Sequence, residues 1–300
     1  MPLTQAEPLL DTPLLHRLER LTIYWQNSLP GLVGGHNTSR FSGSGQEFLD
    51  HRNFHHGDDV RAVNWRAYLR LEKLFLKMFH LEPRIPVRIL LDVSRSMRTE
   101  ATGAKDKFLY ARQLAAALCY VGLVRLESIC LQPFSHTLHD AFTASGGRHR
   151  YQPAMNFLSA LEPRGATNFL DVSRRFLSEY PQPGLIILVS DFLDDGDCEK
   201  PLQYLCDFGH ELILAQVWAP EDREPPWEGE LELEDAENGR RLALSFDAAA
   251  RAQYREGFDD HAEHIRRIAL RNNGRYVGLS TETALEQAVF GSLVKSGAVQ

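Results

Sequence analysis

The chain has 300 residues, of which 43% are hydrophobic and 24% are charged, and its formal net charge is −7. These proportions are those of an ordinary globular protein with one large domain or two smaller ones. The negative balance disfavours a nucleic-acid-binding role, because such surfaces are usually basic, and no apolar run approaches the ~18 residues of a transmembrane helix.

The start of the chain lacks the basic segment and the uninterrupted apolar core of a signal peptide. The four cysteines show no C-x-x-C spacing, so we expect them to be buried and reduced. They are Cys119, Cys130, Cys198 and Cys206. Together these features predict a cytoplasmic protein.

The first part of the chain is predicted to be an N-terminal extension, residues 1–85, packed on a main domain of residues 86–300. Residues 14–28 predict an amphipathic helix, because apolar residues recur on one stripe. This stripe consists of Leu15, Leu18, Leu21 and Trp25. The Gly- and Ser-rich residues 31–46 predict a loop or hairpin, and residues 74–82 predict a strand.

From Val87 onward, strands and helices are predicted to alternate. The predicted strands are 87–91, 128–134, 185–192, 211–218 and 275–280. The predicted helices are 106–125, 169–180, 200–208, 247–271 and 283–294. Near-continuous apolar strands between helices predict an α/β fold with a mostly parallel sheet that is buried on both faces.

Two hairpins are predicted beside this alternating pattern. Residues 137–142, TLHDAF, predict a strand that returns beside 128–134. Residues at about 229–246 predict an inserted β-hairpin that turns near Asn238 and Gly239, a dipeptide typical of tight hairpin turns.

Polar residues gather where the predicted strands end. Asp92, Ser94 and Ser96 follow the first strand of the main domain, Thr167 precedes the helix at 169–180, and Asp191 follows the LIILV strand. Ligands of open α/β sheets bind at the carboxyl ends of the strands. All five residues offer oxygen, which Mg²⁺ and Mn²⁺ prefer, so they predict a metal site.

A structural alternative is that Asp and Ser are common after strands because they cap the next helix. The metal site is favoured because the segments that carry Asp92, Thr167 and Asp191 each occur at a strand–helix junction. They also follow one another along the chain in the order that such a site requires. If the carboxylates act through water, the ion stays electrophilic and attracts an acidic group from a partner.

The pattern Asp-x-Ser-x-Ser, Thr, Asp resembles the metal-ion-dependent adhesion site of von Willebrand factor A domains. The resemblance implies that fold and a metal role for Asp92, Ser94, Ser96, Thr167 and Asp191. It further implies that the three hydroxyls touch the ion, while the aspartates act largely through water. The implied ion is Mg²⁺, with Mn²⁺ or Ca²⁺ as alternatives.

The preceding segment, residues 43–82, resembles that of the bacterial family called domain of unknown function 58. Its recurring features are expected to be structural or partner-binding. They are Gly45, Glu47, Phe48, Arg52, Gly57, Asp58, Asp59, Arg61 and Trp65. The resemblance extends over roughly residues 30–290, and one departure is Asn64, where the family pattern leads us to expect Asp.

The family resemblance implies a non-enzymatic protein-interaction module that works with a MoxR-type AAA+ ATPase in assembly or maturation of protein complexes. A client protein that offers an acidic residue is an alternative partner. A haloacid dehalogenase-like, Mg²⁺-dependent phosphatase is the alternative function, with Asp92 as nucleophile and Asp191 on the metal. That chemistry wants a second acid two residues further on, where this chain has Ser94.

Overall fold

The computed structural model describes most of the chain. The described residues are 8–24, 47–55, 63–80, 86–98, 106–125, 127–194, 196, 198–235 and 239–300. The chain divides into two compact units, one of Met1–Asn27 with Ile85–Gln300 and one of Ser28–Arg84. The predicted extension of residues 1–85 is therefore not one unit, because its first helix groups with the main domain.

Ten strands and nine α-helices are defined in the described residues. The strands are β1 (Glu47–Asn53), β2 (Phe75–His80), β3 (Pro86–Asp92), β4 (Ser128–Phe134), β5 (Phe142–Ser145), β6 (Leu185–Ser190), β7 (Glu211–Trp218), β8 (Gly229–Glu234), β9 (Arg241–Phe246) and β10 (Arg275–Ser280). The helices are α1 (Thr12–Leu18), α2 (Trp65–Leu71), α3 (Lys107–Val124), α4 (Tyr151–Ser159), α5 (Phe169–Glu179), α6 (Glu199–Asp207), α7 (Pro220–Arg223), α8 (Ala248–Arg271) and α9 (Leu285–Gln287). Within the described part of the chain, no helix combines the length and the apolar character needed to cross a membrane.

The main unit is built on a six-stranded sheet with the order β10-β7-β6-β3-β4-β5. Neighbouring strands run parallel except β5, which pairs antiparallel with β4. The prediction of an α/β fold with a mostly parallel sheet is therefore confirmed. The sheet brings the carboxyl ends of β3 and β6, which are adjacent, to the same edge.

The sheet is buried on both faces, as its apolar strands require. Ile89 and Leu91 of β3 join a cluster that includes Leu114 of α3. Leu90, which points to the other face, joins a cluster with Phe176 of α5 and helix α8. Because side chains alternate along a strand, one apolar run supplies both cores.

The first helix is shorter than predicted. It covers Thr12–Leu18 instead of residues 14–28, and Asp11 caps it by accepting a hydrogen bond from the backbone N–H of Leu14. Beyond it, the chain pairs with the far end of the main unit, since Thr22 and Gln300 exchange both backbone hydrogen bonds. Residues of the predicted stripe up to Leu21 are described, whereas Trp25 lies outside the described residues.

Other differences concern short elements. Helix α4 was not predicted, and the strand that returns beside β4 is β5, which begins where the predicted segment 137–142 ends. The predicted last helix, 283–294, is α9 followed by a π-helical segment, Ala288–Leu293. The predicted hairpin is present as β8 and β9, paired from Gly229 to Glu234, although its turn residues 236–238 lie outside the described residues.

The second unit contains β1, β2 and α2. The two strands pair antiparallel, with a register shift between Phe48 and Asp50. Helix α2 starts after Asn64, whose side-chain oxygen accepts a hydrogen bond from the backbone N–H of Ala67 at 3.3 Å. Asn caps a helix about as well as Asp does, so the departure from the family pattern preserves this local function.

Candidate functional site

The predicted residues meet at the carboxyl edge of the central sheet. Asp92 ends β3, and Asp191 directly follows β6, the neighbouring strand. Asp92, Ser94, Thr167 and Asp191 are buried, with at most 7% of each residue exposed, and Ser96 is half-buried. Burial of so many polar side chains at one edge of the sheet requires specific partners.

Asp92 is fixed by two hydrogen bonds. One carboxylate oxygen accepts from the backbone N–H of Ser94 at 2.8 Å, and the other accepts from Ser190 Oγ at 2.6 Å. Ser190 Oγ in turn accepts from the backbone N–H of Phe192 at 2.9 Å. Ser190 is not among the predicted site residues, although its position between the LIILV run and Asp191 places it at the end of β6.

Ser94 and Ser96 form a pair of hydroxyls, with their Oγ atoms 2.9 Å apart. Ser94 precedes a single 3-10 turn, Arg95–Met97, but its side chain makes no capping hydrogen bond there. The capping alternative therefore does not account for Ser94. Its hydroxyl is directed to the second serine at the edge of the sheet.

The loop that carries Thr167 is joined to the loop after β3 by two backbone hydrogen bonds. The N–H of Arg164 donates to the carbonyl oxygen of Val93 at 2.6 Å, and that of Arg95 donates to the carbonyl oxygen of Gly165 at 2.9 Å. Thr167 is thereby held at the same edge as Ser94 and Ser96. The cap of α5 is the next residue, Asn168.

Asp191 is held by a buried lysine. Its Oδ2 accepts from Lys107 Nζ at 3.0 Å, and its Oδ1 accepts from the backbone N–H of Leu193 at 3.1 Å. Lys107 Nζ also donates to Oδ2 of Asp222 at 3.0 Å. Lys107 and Asp222 are not among the predicted site residues, because only the packing of α3 and α7 places Lys107 against Asp191 and Asp222 against Lys107.

The turn after Asp191 has an unusual backbone. Phe192 adopts the left-handed region with φ of 60°, which is uncommon for a bulky residue. Its N–H is bound by Ser190, and its carbonyl oxygen accepts from Nε2 of His261 at 2.9 Å. These contacts hold a strained conformation next to the aspartate, as is frequent at functional sites.

The site carries more negative than positive charge. Burial, followed by the charge of Asp191, raises the pKa of Asp92 to about 7, although hydrogen bonds from Ser190 and Ser94 oppose the shift. Burial lowers the pKa of Lys107, but the carboxylates of Asp191 and Asp222 outweigh it, so this pKa lies above its usual value. The ammonium group of Lys107 contacts Asp191 and Asp222, while Asp92 interacts with Asp191, and an additional cation would relieve the repulsion between these two aspartates.

These residues are chemically suited to a hard divalent cation. Among the residues that the structure describes, no group of three or more His, Cys, Asp or Glu side chains is placed to hold a metal. A cation at this edge would thus depend on the hydroxyls of Ser94, Ser96 and Thr167 and on water. Such an oxygen set suits Mg²⁺ or Mn²⁺.

The other predicted motif residues belong to the second unit. Glu47, Phe48 and Arg52 lie on β1, and Trp65 opens α2 with 57% of its surface exposed. The remaining motif residues lie outside the described residues. They are Gly45, Gly57, Asp58, Asp59 and Arg61.

A comparison with known protein families matches residues 50–264 to the family described as "Protein of unknown function DUF58". The chain belongs to this family. The matched region includes all five residues of the candidate site as well as Trp65. The family resemblance inferred from the sequence motifs is therefore confirmed.

Similar proteins are found in mycobacteria. Uncharacterized proteins of Mycobacterium bovis and Mycobacterium tuberculosis are each 25% identical to this chain over 263 residues. These alignments cover 86% of this chain and 81% of each relative.

Similar solved structures include the conserved hypothetical protein BatB from Bacteroides thetaiotaomicron, with 20% identity and a TM-score of 0.43. That similarity covers 71% of this chain and 98% of BatB. An aerotolerance-related membrane protein from Bacteroides fragilis is 18% identical with a TM-score of 0.42, covering 70% of this chain and 99% of that protein. These similarities are too low to bear on function.

Proposed function

We propose that this DUF58 family member is a metal-dependent protein-interaction module with a von Willebrand factor A-like fold. Its metal-ion-dependent adhesion site lies at the carboxyl edge of the sheet. Ser94, Ser96 and Thr167 contact the divalent cation, Mg²⁺ in the first instance, and Asp92 and Asp191 hold it largely through water. The observation that carries the proposal is a surplus of buried carboxylates beside serine hydroxyls that cap no helix.

The hydrogen bonds of the aspartates support this division of roles. Both oxygens of Asp92 and both oxygens of Asp191 already accept hydrogen bonds from the protein. These hydrogen bonds partly neutralise the negative charge of the two carboxylates, and the hydroxyl ligands are uncharged. The cation keeps an affinity for one more carboxylate, which a partner protein supplies.

The partner that we propose to test first is a MoxR-type AAA+ ATPase, as the family resemblance implies, in assembly or maturation of protein complexes. A client protein that offers an exposed Asp or Glu is the second choice. In either case the partner's carboxylate completes the shell of the cation, and the interaction requires the metal.

The alternative, a phosphatase with Asp92 as nucleophile, is disfavoured by the geometry. A nucleophilic carboxylate must have an oxygen free to approach phosphorus. Asp92 is fully buried, and both of its oxygens are bound by Ser94 and Ser190. The alternative would be revived by turnover of a phosphomonoester that is lost in Asp92→Asn.

Calorimetric titration of Mg²⁺ and Mn²⁺ into chelator-stripped protein tests the metal site. We expect saturable one-site binding that is lost in Asp92→Ala and weakened in Thr167→Ala. Asp247→Ala is the matched control, because Asp247 caps α8 far along the chain and has no part in the site. It should cost about 1 kcal/mol of stability and leave binding unchanged.

The partner is tested by a pull-down of the ATPase in Mg²⁺ and in chelator. We expect capture in Mg²⁺ alone, and its loss in Asp92→Ala and Thr167→Ala but not in Asp247→Ala. Capture that survives both site variants would contradict the proposed interface, even if the titration had shown a metal site.

A further inference from the structure

Lys107 has a position that the proposed adhesion site does not explain. Only 3% of its side chain is exposed, yet its ammonium group lies 3.0 Å from a carboxylate oxygen of Asp191 and 3.0 Å from one of Asp222. Asp191 is equally buried, whereas 26% of the Asp222 side chain is exposed. The lysine thus connects a predicted metal residue with a carboxylate closer to solvent.

The ammonium group is held in place from both sides. Lys107 is the first residue of α3, which starts at the cap Asp106 and packs on the sheet through a continuous apolar face. Asp222 belongs to α7, where its Oδ2 also accepts from the backbone N–H of Ala219 at 2.8 Å. Tyr254 of α8 donates a hydrogen bond to the carbonyl oxygen of Asp222, at 3.0 Å.

A buried lysine is costly unless its charge is compensated, because desolvation penalises the charged form. Here two carboxylates, those of Asp191 and Asp222, compensate one ammonium group, and Asp191 also interacts with Asp92. A divalent cation near Asp191 and the ammonium group of Lys107 would repel each other. When the cation binds, Asp222 remains as the second acceptor for the ammonium group.

We infer that Lys107 is the internal counter-cation of this site, which stabilises the metal-free protein and competes with the divalent cation for Asp191. This inference rests on the proposed function, because it concerns the same metal. Lys107 thereby controls the affinity of the site for the metal, and Asp222 is the second partner of its ammonium group.

The test compares Mn²⁺ binding by calorimetry in the full-length wild type, Lys107→Met and Lys107→Arg. Removing the charge should raise Mn²⁺ affinity by about tenfold or more, since a unit charge at this range strongly affects a second one in a protein interior. Lys107→Arg keeps the charge and should bind Mn²⁺ much as the wild type does. Arg275→Met is the control, because it removes an equally buried cation from the opposite edge of the sheet.

Thermal unfolding gives a second measurement. In chelator, Lys107→Met should melt at a lower temperature than the wild type, because its buried carboxylates lose their counter-cation. Addition of Mn²⁺ should raise its melting temperature by more than it raises that of the wild type. Arg275→Met should also melt at a lower temperature, but Mn²⁺ should raise its melting temperature by no more than it raises that of the wild type.

If Lys107→Met does not fold even in Mn²⁺, Asp222→Asn tests the same inference. The amide oxygen can still accept from Ala219, but the negative charge beside the ammonium group is removed, so Lys107 depends more strongly on Asp191 and Mn²⁺ affinity should fall severalfold. Glu224→Gln is the matched control, because Glu224 is an exposed acid two residues away that pairs with Arg223 and Arg255 instead. Equal effects of the two substitutions would overturn the inference.

The outcomes separate this inference from the proposed function. Wild-type binding that is lost in Asp92→Ala but unchanged in Lys107→Met would overturn the role of Lys107 and leave the metal site standing. An absence of binding in the wild type and in Lys107→Met would overturn both. Binding by Lys107→Met alone would support the counter-cation and show that the wild-type site is closed to free Mn²⁺.

Discussion

The two edges of the central sheet both contain buried charges, but they balance them differently. At the amino edge, Arg275 and Glu211 form an ion pair at 2.8 Å, with at most 5% of either side chain exposed. At the carboxyl edge, Lys107 is shared by Asp191 and Asp222, and Asp92 lies beside them. The pair at the amino edge joins one charge of each sign, whereas the carboxylates at the carboxyl edge outnumber the ammonium group, which favours the divalent cation that we propose there.

The amino edge also contains buried groups of positive or neutral character. Arg88 of β3 stacks over the rings of Phe176 and Tyr180, at 5.8 and 5.2 Å from their centroids. Burial, followed by the charge of Arg88, lowers the pKa of His210 to about 4. This edge therefore favours neutral histidine, which sets it apart from the candidate site.

The largest effect is expected from breaking the balanced pair. Arg275→Met removes the cation that pairs with the buried carboxylate of Glu211 and should lower the free energy of unfolding by about 3–5 kcal/mol. Denaturant titration measures this loss, and Mg²⁺ should not reduce it. A loss below about 1 kcal/mol would mean that water reaches Glu211 and that the two edges differ less than their burial indicates.

A smaller effect is expected from protonation of His210. Since its pKa is about 4 in the folded protein and about 6.5 in the unfolded chain, its contribution to stability is present above pH 6.5. This contribution to the free energy of unfolding is lost as the pH falls from 6.5 toward 4. The total loss is on the order of 3 kcal/mol. His210→Phe keeps a ring next to Phe176 and should unfold with a flatter pH dependence between pH 6.5 and 4 than the wild type.

Superimposable pH profiles of the two proteins would show that His210 is not desolvated to this extent. Because other groups titrate in the same range, the difference between the profiles is the quantity to be compared. That difference should be the same in Mg²⁺ and in chelator, because His210 lies at the amino edge.

The smallest effect has the opposite sign. Asp92→Asn removes one charge from the surplus while keeping an acceptor for the N–H of Ser94, so it should stabilise the metal-free protein by about 1 kcal/mol. The same substitution should abolish stabilisation by Mg²⁺. Denaturant titrations in chelator and in Mg²⁺ measure both effects, and destabilisation in chelator would show that the charge of Asp92 is already compensated.

Much of this architecture is predictable because apolar strands and polar junctions are local signals. The runs at Ile89–Leu91 and Leu185–Val189 predict the central strands, and the residues that follow them predict the carboxyl edge. Lys107 is different, because a lysine one residue after a helix cap is ordinarily exposed. Its contact with Asp191, 84 residues away, depends on how α3 packs on the sheet.

Helix limits are predicted less well where tertiary contacts override the apolar pattern. The stripe through Leu21 continues in sequence, but the chain leaves the helix after Leu18 to pair with the last strand-like residues of the unit. Helix α4 escaped prediction because Pro153 stands within it and its buried side chains are few. For the first helix, the partner that decides where it ends lies far away in the sequence.

The pairing of Thr22 with Gln300 and of Ile23 with Val299 also has a consequence in time. During synthesis, the partners of this backbone segment are made more than 270 residues after the segment itself. Until those partners are made, the backbone N–H and carbonyl groups of Thr22 form hydrogen bonds with water. The apolar side of α1 then has only part of its final packing contacts. In the second unit, about twenty residues separate β1 from β2. These two strands can therefore pair while the larger unit is still incomplete.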